Sequence, residues 1–137
     1  MDINRFKLQH VQILKAIHQL RQYAKAGIVE NAPHLSRELL SIKSKIKLHL
    51  AIEDDILYPR LQKKGDPLVS QLAHRYQAEM QSLAADFLAF VDRWGHTDQI
   101  AGNPEAFRQD CNVVIKALHQ RIQRENLEFY PAAERLN

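Results

Sequence analysis

The sequence predicts an all-α protein that folds as an up-down-up-down four-helix bundle. Apolar residues recur at alternating spacings of three and four through four long segments, which is the pattern of helices with one face in a core. Only four glycines and five prolines punctuate the 137 residues, which favours long helices over many short strands. The connections between the segments are short, so consecutive helices are expected to pack antiparallel.

Composition limits the class of protein. The length predicts a single domain over residues 1–137 with one core, and no apolar run approaches the ~18 residues of a membrane span. The net charge of +3 comes from basic residues interleaved with acidic ones, so nucleic-acid binding is not predicted. One cysteine, Cys111, and a polar N-terminus without a signal-peptide core favour a cytoplasmic protein. Cys111 itself lies on an apolar stripe and is predicted to be a core residue.

Two helices are predicted in the first half. Helix one covers about 2–26 and stops at Gly27. Helix two covers about 32–64, begins at Asn31-Ala32-Pro33 and ends near Lys63-Lys64-Gly65. Pro59 falls inside helix two, so a kink or a break is expected there.

Two further helices are predicted in the second half. Asp66-Pro67 begins helix three, which runs to about residue 94. A polar loop from Gly95 to Gly102 follows, and helix four covers about 104–135. Pro131 interrupts helix four as Pro59 interrupts helix two.

A histidine and a glutamate occupy the core stripe of helix two. Its stripe runs Leu35, Leu39, Ile42, Ile46, His49, Glu53, Ile56. His49 and Glu53 are one turn apart on the face that should be buried. Burying both costs several kcal/mol unless they meet partners or a metal ion.

The second half of the chain repeats this stretch. Residues 52–59 align with residues 124–131, and in both a glutamate precedes a Tyr-Pro pair by five and six residues. This places Glu125 on the core stripe of helix four as the counterpart of Glu53. The match suggests that helices one and two were duplicated as helices three and four.

This organisation resembles the hemerythrin-like (HHE cation-binding) family, over nearly the whole chain. The resemblance implies two non-haem irons held by a histidine from each of helices one and three, and by a histidine with a nearby carboxylate from each of helices two and four. His10, on the core stripe of helix one, then matches the first histidine. His49, Glu53 and Glu125 match further ligands. No Glu-x-x-His pair of the ferritin-like bundles occurs.

The second half departs from the family pattern. Arg121 stands where the family has a histidine, and arginine has no acceptor for a metal. It is expected to form a buried ion pair with Glu125 one turn away. His119, roughly 120° round the helix from Glu125, and His74, away from the core stripe of helix three, are weaker ligand candidates. Tyr76 and Gln77 lie at the level where the helix-three ligand is expected.

The predicted ligands number four on strict periodicity and six with His74 and His119. Four suit one metal ion, and iron, manganese or zinc all accept such a set. His18, His34 and His96 are expected at the surface or in loops.

Two functions are predicted. The first is a non-haem iron protein, di-iron or mononuclear, that senses or handles oxygen, peroxide or nitric oxide, with a small diatomic ligand. The second is a metal-free bundle that acts as a regulatory or protein-interaction module. A hydrolytic metalloenzyme is disfavoured, because no nucleophile, base or phosphate-binding loop stands out. An enzymatic role remains undecided, and a homodimer is left open.

Overall fold

The computed structural model describes residues 3–63 and 66–135, and within them all regular structure is helical. The first two segments of the bundle are α1 (Ile3–Ala26) and α2 (Ala32–Ile52), and α2 continues through a π-helical turn, π1 (Glu53–Leu57), into α3 (Tyr58–Lys63). The third is α4 (Pro67–Trp94), followed by the short α5 (Thr97–Gly102). The fourth is α6 (Pro104–Arg124), a second π-helical turn, π2 (Glu125–Phe129), and α7 (Tyr130–Glu134).

Neighbouring segments run antiparallel, which confirms the predicted four-helix bundle. His49 bonds to Gln9, and Ser36 donates to the carbonyl of Gly95, so α2 runs against both α1 and α4. On the other side of the bundle the Trp94 indole donates to Asp110, which pairs the end of α4 with the start of α6. None of the helices in the described residues is both long enough and apolar enough to cross a membrane.

The helix ends follow the predicted signals in part. Gly27 ends α1 with φ of 144°, a left-handed conformation that favours glycine. Asp66 accepts hydrogen bonds from the backbone of Leu68 and Val69 and caps α4 as expected. Asn31 makes no side-chain cap to α2; its amide donates instead to carbonyls at the end of α1.

Two details differ from the prediction. The segment 95–102 is not a loop throughout, because 97–102 form the short helix α5 with Ile100 buried in the core. The predicted end signal of helix two lies partly outside the described residues, since these include Lys63 but not Lys64 and Gly65. The predicted start of helix one at Asp2 also lies outside them.

Helical structure continues through both prolines without a break. Each proline follows a π-helical turn, in which the amide of the preceding tyrosine bonds to the glutamate five residues earlier. Proline lacks an N–H and its ring crowds the preceding turn, and the wider π turn accommodates both effects. The extra residue shifts the buried positions by one, so Leu57 is buried whereas Ile56 is 45% exposed, contrary to the predicted stripe.

Two apolar clusters form the core, and a polar layer lies between them. Ile13, Ile46 and Ile122 belong to the larger cluster and Phe6, Leu57 and Phe129 to the smaller one. Along the chain each histidine or glutamate of the layer falls between a residue of one cluster and a residue of the other. Buried Cys111 belongs to the larger cluster, as predicted.

Candidate metal centre

Four side chains from α1, α2, π1 and π2 meet in the polar layer. His10, His49, Glu53 and Glu125 are all at most 3% exposed. The Nε2 atoms of the two histidines are 3.2 Å apart. Oε1 of Glu125 lies 3.1 Å from the Nε2 atom of His10, and Oε1 of Glu53 lies 3.2 Å from that of His49.

The orientation of both imidazole rings is set by hydrogen bonds on their outer side. The Nδ1 atom of His10 donates to Oδ1 of Asn126 at 2.8 Å, and that of His49 donates to Oε1 of Gln9 at 2.6 Å. An amide oxygen can only accept, so Nδ1 carries a proton in each ring. In the neutral rings both Nε2 lone pairs therefore point into the centre, which is the tautomer that a metal-binding histidine with an outer hydrogen bond adopts.

The inner atoms of the centre are mostly hydrogen-bond acceptors. Two imidazole nitrogens and two carboxylate oxygens converge there, and Oε1 of Glu53 makes no hydrogen bond within the described part of the chain. Buried acceptors repel one another unless a cation or a shared proton lies between them. His10, His49 and Glu125 each offer a ligand atom within 4.8 Å of the others, so the donor set suits one metal ion.

Tyr130 closes one side of the centre. Its hydroxyl donates to Oε2 of Glu53 at 3.2 Å and lies 3.1 Å from the Nε2 atom of His10. Its ring stacks on His10, and Phe6 packs edge-on against His49. These rings exclude water from the inner atoms, which strengthens every electrostatic interaction there.

The two carboxyl groups are driven in opposite directions. Burial and the neighbouring Glu125 raise the pKa of Glu53 well above its usual range. Burial alone would also raise the pKa of Glu125, but hydrogen bonding with His10 and the charge of Arg121 hold it below that range. Burial lowers the pKa of His49, although Glu125 opposes the shift. In the metal-free centre the two pKa shifts favour a proton on Glu53 rather than on Glu125.

Arg121 occupies the other side of Glu125. The guanidinium is 4% exposed, donates to the carbonyl of Tyr76 at 2.6 Å and lies 4.4 Å from the centre of the Tyr76 ring. It also donates to the Tyr58 hydroxyl at 3.4 Å. Its Nη2 atom lies 3.6 Å from Oε2 of Glu125, close enough for an ion pair but not for a hydrogen bond. The carboxylate of Glu125 thus points one oxygen at the histidines and the other at Arg121.

The remaining predicted ligands lie elsewhere. His74 is exposed and contacts Gln62, and His119 is half-buried. Neither belongs to the group of described side chains that could share a metal ion. Helix three contributes the Tyr76 ring and carbonyl beside Arg121 instead of a ligand. His18 and His96 are exposed, and His34 stacks on Tyr23 near the surface, in agreement with the prediction.

Sequence reasoning did not predict four residues that contact the centre: Gln9, Asn126, Tyr58 and Tyr130. The repeated Glu-x-x-x-x-Tyr-Pro spacing carried the signal for the two tyrosines. In an α-helix a residue five positions later lies on another face, whereas the π turn lets both tyrosines point into the core, where Tyr130 contacts Glu53 and Tyr58 contacts Arg121. Helical periodicity does not identify Gln9 or Asn126, because each is adjacent in sequence to a core residue and therefore lies off the core stripe.

One family profile matches the chain. The profile, described as hemerythrin HHE cation binding domain, covers residues 1–133. No curated protein and no solved structure matches the chain.

Proposed function

The chain belongs to the hemerythrin HHE cation-binding domain family, and from this membership and the geometry of the polar layer we propose that it binds a single non-haem iron ion. Family membership implies metal binding. The ligands in this proposal are His10, His49, Glu53 and Glu125. The resulting protein would sense or handle oxygen, peroxide or nitric oxide in the cytoplasm.

The observation that carries the proposal is the buried convergence of ligand atoms from His10, His49 and Glu125, with the Glu53 carboxyl beside His49. A purely structural polar network pairs donors with acceptors. Here both Nδ1 donors are used on the outer side, and the Tyr130 hydroxyl is directed at Glu53. A proton on Glu53 is the remaining donor on the inner face, which is therefore still short of donors, and a divalent ion would satisfy it. Imidazole and carboxylate suit iron, with manganese and zinc as the other candidates.

A single ion is proposed because Arg121 stands where a second ion would need a ligand. A bridging carboxylate presents one oxygen to each of two cations. Glu125 presents Oε1 to His10 and Oε2 to the guanidinium of Arg121. Arginine stays protonated and cannot coordinate a metal. The side that would hold a second ion is thus already occupied by a fixed positive charge.

In this proposal, residues around the centre orient the ligands and exclude water. Gln9 and Asn126 hold the two imidazoles in the ligating tautomer, and Tyr130 orients Glu53. The apolar clusters on both sides keep water out. A bound iron ion with an open coordination position supplies the binding of a small oxygen or nitrogen species.

The alternative is a metal-free regulatory or interaction module, by itself or as a homodimer. The network of Arg121 with Tyr76, Tyr58 and Glu125 favours this alternative, since buried ionic groups fix the register of helices in some proteins. Metal content distinguishes the two functions.

Elemental analysis tests the proposal directly. After expression in medium with iron, manganese and zinc, we expect about one equivalent of iron per chain in the wild type and below ~0.2 equivalents in His49→Ala. His74→Ala is the matched control, because that histidine is exposed and outside the centre. A metal-free wild type, or unchanged metal content in His49→Ala, would refute the proposal.

A further inference from the structure

We propose that a groove between α1 and α6 binds a small amphiphilic anion, a molecule with an apolar body and a carboxylate or phosphate group at one end. This site lies outside the metal centre, and the inference does not depend on a bound metal. It rests on the position and size of the groove, on its apolar floor and on the charge around its rim.

The groove lies well away from the metal centre along the bundle. Residues 18–25 of α1 and residues 107–115 of α6 contribute its lining, and its volume is about 340 Å³. Arg21 in this lining follows His10 by about 16 Å along the helix axis, from a rise of about 1.5 Å per residue. Protein pockets that hold small molecules begin at about this volume, so the groove suits a small ligand.

The floor of the groove is apolar. Leu20, Phe107 and Ile115 are buried members of the larger cluster and also line the groove. The lining further includes Ala24 and Cys111, whose small side chains leave room between the two helices. Burial raises the pKa of the Cys111 thiol to about 12, so the thiol is neutral and belongs to the apolar floor. The apolar body of a ligand would be removed from water here.

The rim of the groove is basic. Arg21, Lys25 and Arg108 are exposed there, and no acidic side chain of the described residues lines the groove. Arg108 pairs with Glu105 at 3.3 Å, whereas Arg21 and Lys25 make no ion pair within the described part of the chain. Two cations beside an apolar opening are therefore paired only with solvent. An anionic group would pair with them, and the planar guanidinium of Arg21 matches a carboxylate or phosphate.

Two other grooves, both between α4 and α6, lack this combination. Glu79 lines one of them, and Asp86 and Asp110 line the other. Arginines of these grooves are paired with the acids, since Arg124 lies 3.1 Å from Glu79 and Arg93 lies 3.1 Å from Asp110. The groove between α1 and α6 differs because two of its cations have no acidic partner, which favours an anionic ligand there.

Calorimetric titration of the full chain tests the site with probes that share one aliphatic chain length, each below its critical micelle concentration. The probes are octanoate, octyl phosphate, neutral 1-octanol and octylammonium. We expect about one equivalent of an anionic probe to bind, roughly tenfold or more tightly than 1-octanol, and octylammonium not to bind detectably. The ratio of the two anion affinities identifies the preferred head group. No binding of either anion at millimolar concentration, or an equal affinity for 1-octanol or octylammonium, would overturn the inference.

Two double variants with the same loss of charge locate the binding. Arg21→Gln with Lys25→Gln should weaken binding of the better anion by roughly fivefold to thirtyfold, the size expected when two cations in contact with an anion near water are lost. Arg5→Gln with Lys47→Gln, at positions outside the groove, should leave the affinity within about twofold. All four positions are exposed, so both variants should fold. An equal loss in the two double variants would show an effect of net charge alone and would overturn the inference.

The same titration on chelator-treated wild type separates this site from the proposed function. Anion binding should be unchanged after the treatment, because the groove is distant from His10, His49 and Glu125. Loss of anion binding together with the metal would place the anion at the metal centre and overturn the inference. A wild type purified without metal would refute the proposed function, whereas the groove would still be expected to bind the anion.

Discussion

Removing the charge of Arg121 should strongly destabilise the metal-free protein. In Arg121→Met the apolar stem keeps its packing, but the buried Glu125 carboxylate loses the cation 3.6 Å away and the Tyr76 carbonyl loses a 2.6 Å donor. Removing one partner of a buried ion pair costs about 3–5 kcal/mol. The lost charged hydrogen bond is part of that figure, so the expected loss in free energy of unfolding is about 3–5 kcal/mol.

Arg124→Met is the matched control for this prediction. Arg124 pairs with the same Glu79 at 3.1 Å and lies over the same Tyr76 ring, but its side chain is 50% exposed. Exposed ion pairs contribute about 0–1 kcal/mol, so a loss below about 1 kcal/mol is expected. Urea unfolding after treatment with a chelator measures both variants.

A double variant shows whether the loss comes from the stranded charge. Adding Glu125→Gln to Arg121→Met removes the unpaired carboxylate, so most of the lost stability should return. The buried ion pair would not be the cause if Arg121→Met cost no more stability than Arg124→Met. It would also not be the cause if the double variant lost, relative to the wild type, the sum of the losses of Arg121→Met and Glu125→Gln.

Two further predictions concern the ionisable groups of the metal-free centre. Glu53→Gln should stabilise the metal-free protein by about 1 kcal/mol in neutral solution, because the charged form of Glu53 is costly in the folded protein. The same variant should lower the metal content, because it removes a proposed ligand. Glu38→Gln on α2 is the control for both measurements. The raised pKa of Glu53 gives stability that is fully present below its usual pKa of 4.5 and is lost as pH rises through the pKa in the folded protein. In urea unfolding the advantage of Glu53→Gln should therefore be absent near pH 4.5 and grow with pH. The lowered pKa of His49 acts with the opposite sign. Its contribution to the free energy of unfolding is present above pH 6.5 and is lost as pH falls through the pKa in the folded protein. A pH series in which metal-free Glu53→Gln loses no stability below pH 6.5 would contradict a neutral buried His49.

Helical periodicity was sufficient to place the four proposed ligands in the interior. His10, His49, Glu53 and Glu125 share stripes with apolar residues, and all four are buried in the structure. Periodicity works here because the fold consists of long helices, in which the direction of each side chain depends on local geometry alone. The same rule correctly separated His74 from the core, since that histidine lies away from the stripe.

Periodicity did not extend through the two π turns. Ile56 was expected to face inward, and Leu57 takes its place, because one extra residue in the turn rotates everything that follows. The same rotation brings Tyr130 beside Glu53 and Tyr58 beside Arg121. The prolines predict a kink or a break, and the helices continue through them without a break, each after a π turn.

The sequence by itself determined the bundle, the family resemblance, the buried histidines and glutamates, and the arginine at position 121. These follow from local spacing and from the cost of exposing apolar faces. Only the tertiary structure decided how the polar atoms meet: which nitrogen of each imidazole turns inward, and how Glu125 divides its two oxygens between His10 and Arg121. The orientation of the imidazoles depends on contacts between residues far apart in the sequence, 116 positions for His10 with Asn126 and 40 for His49 with Gln9, and no local pattern encodes them.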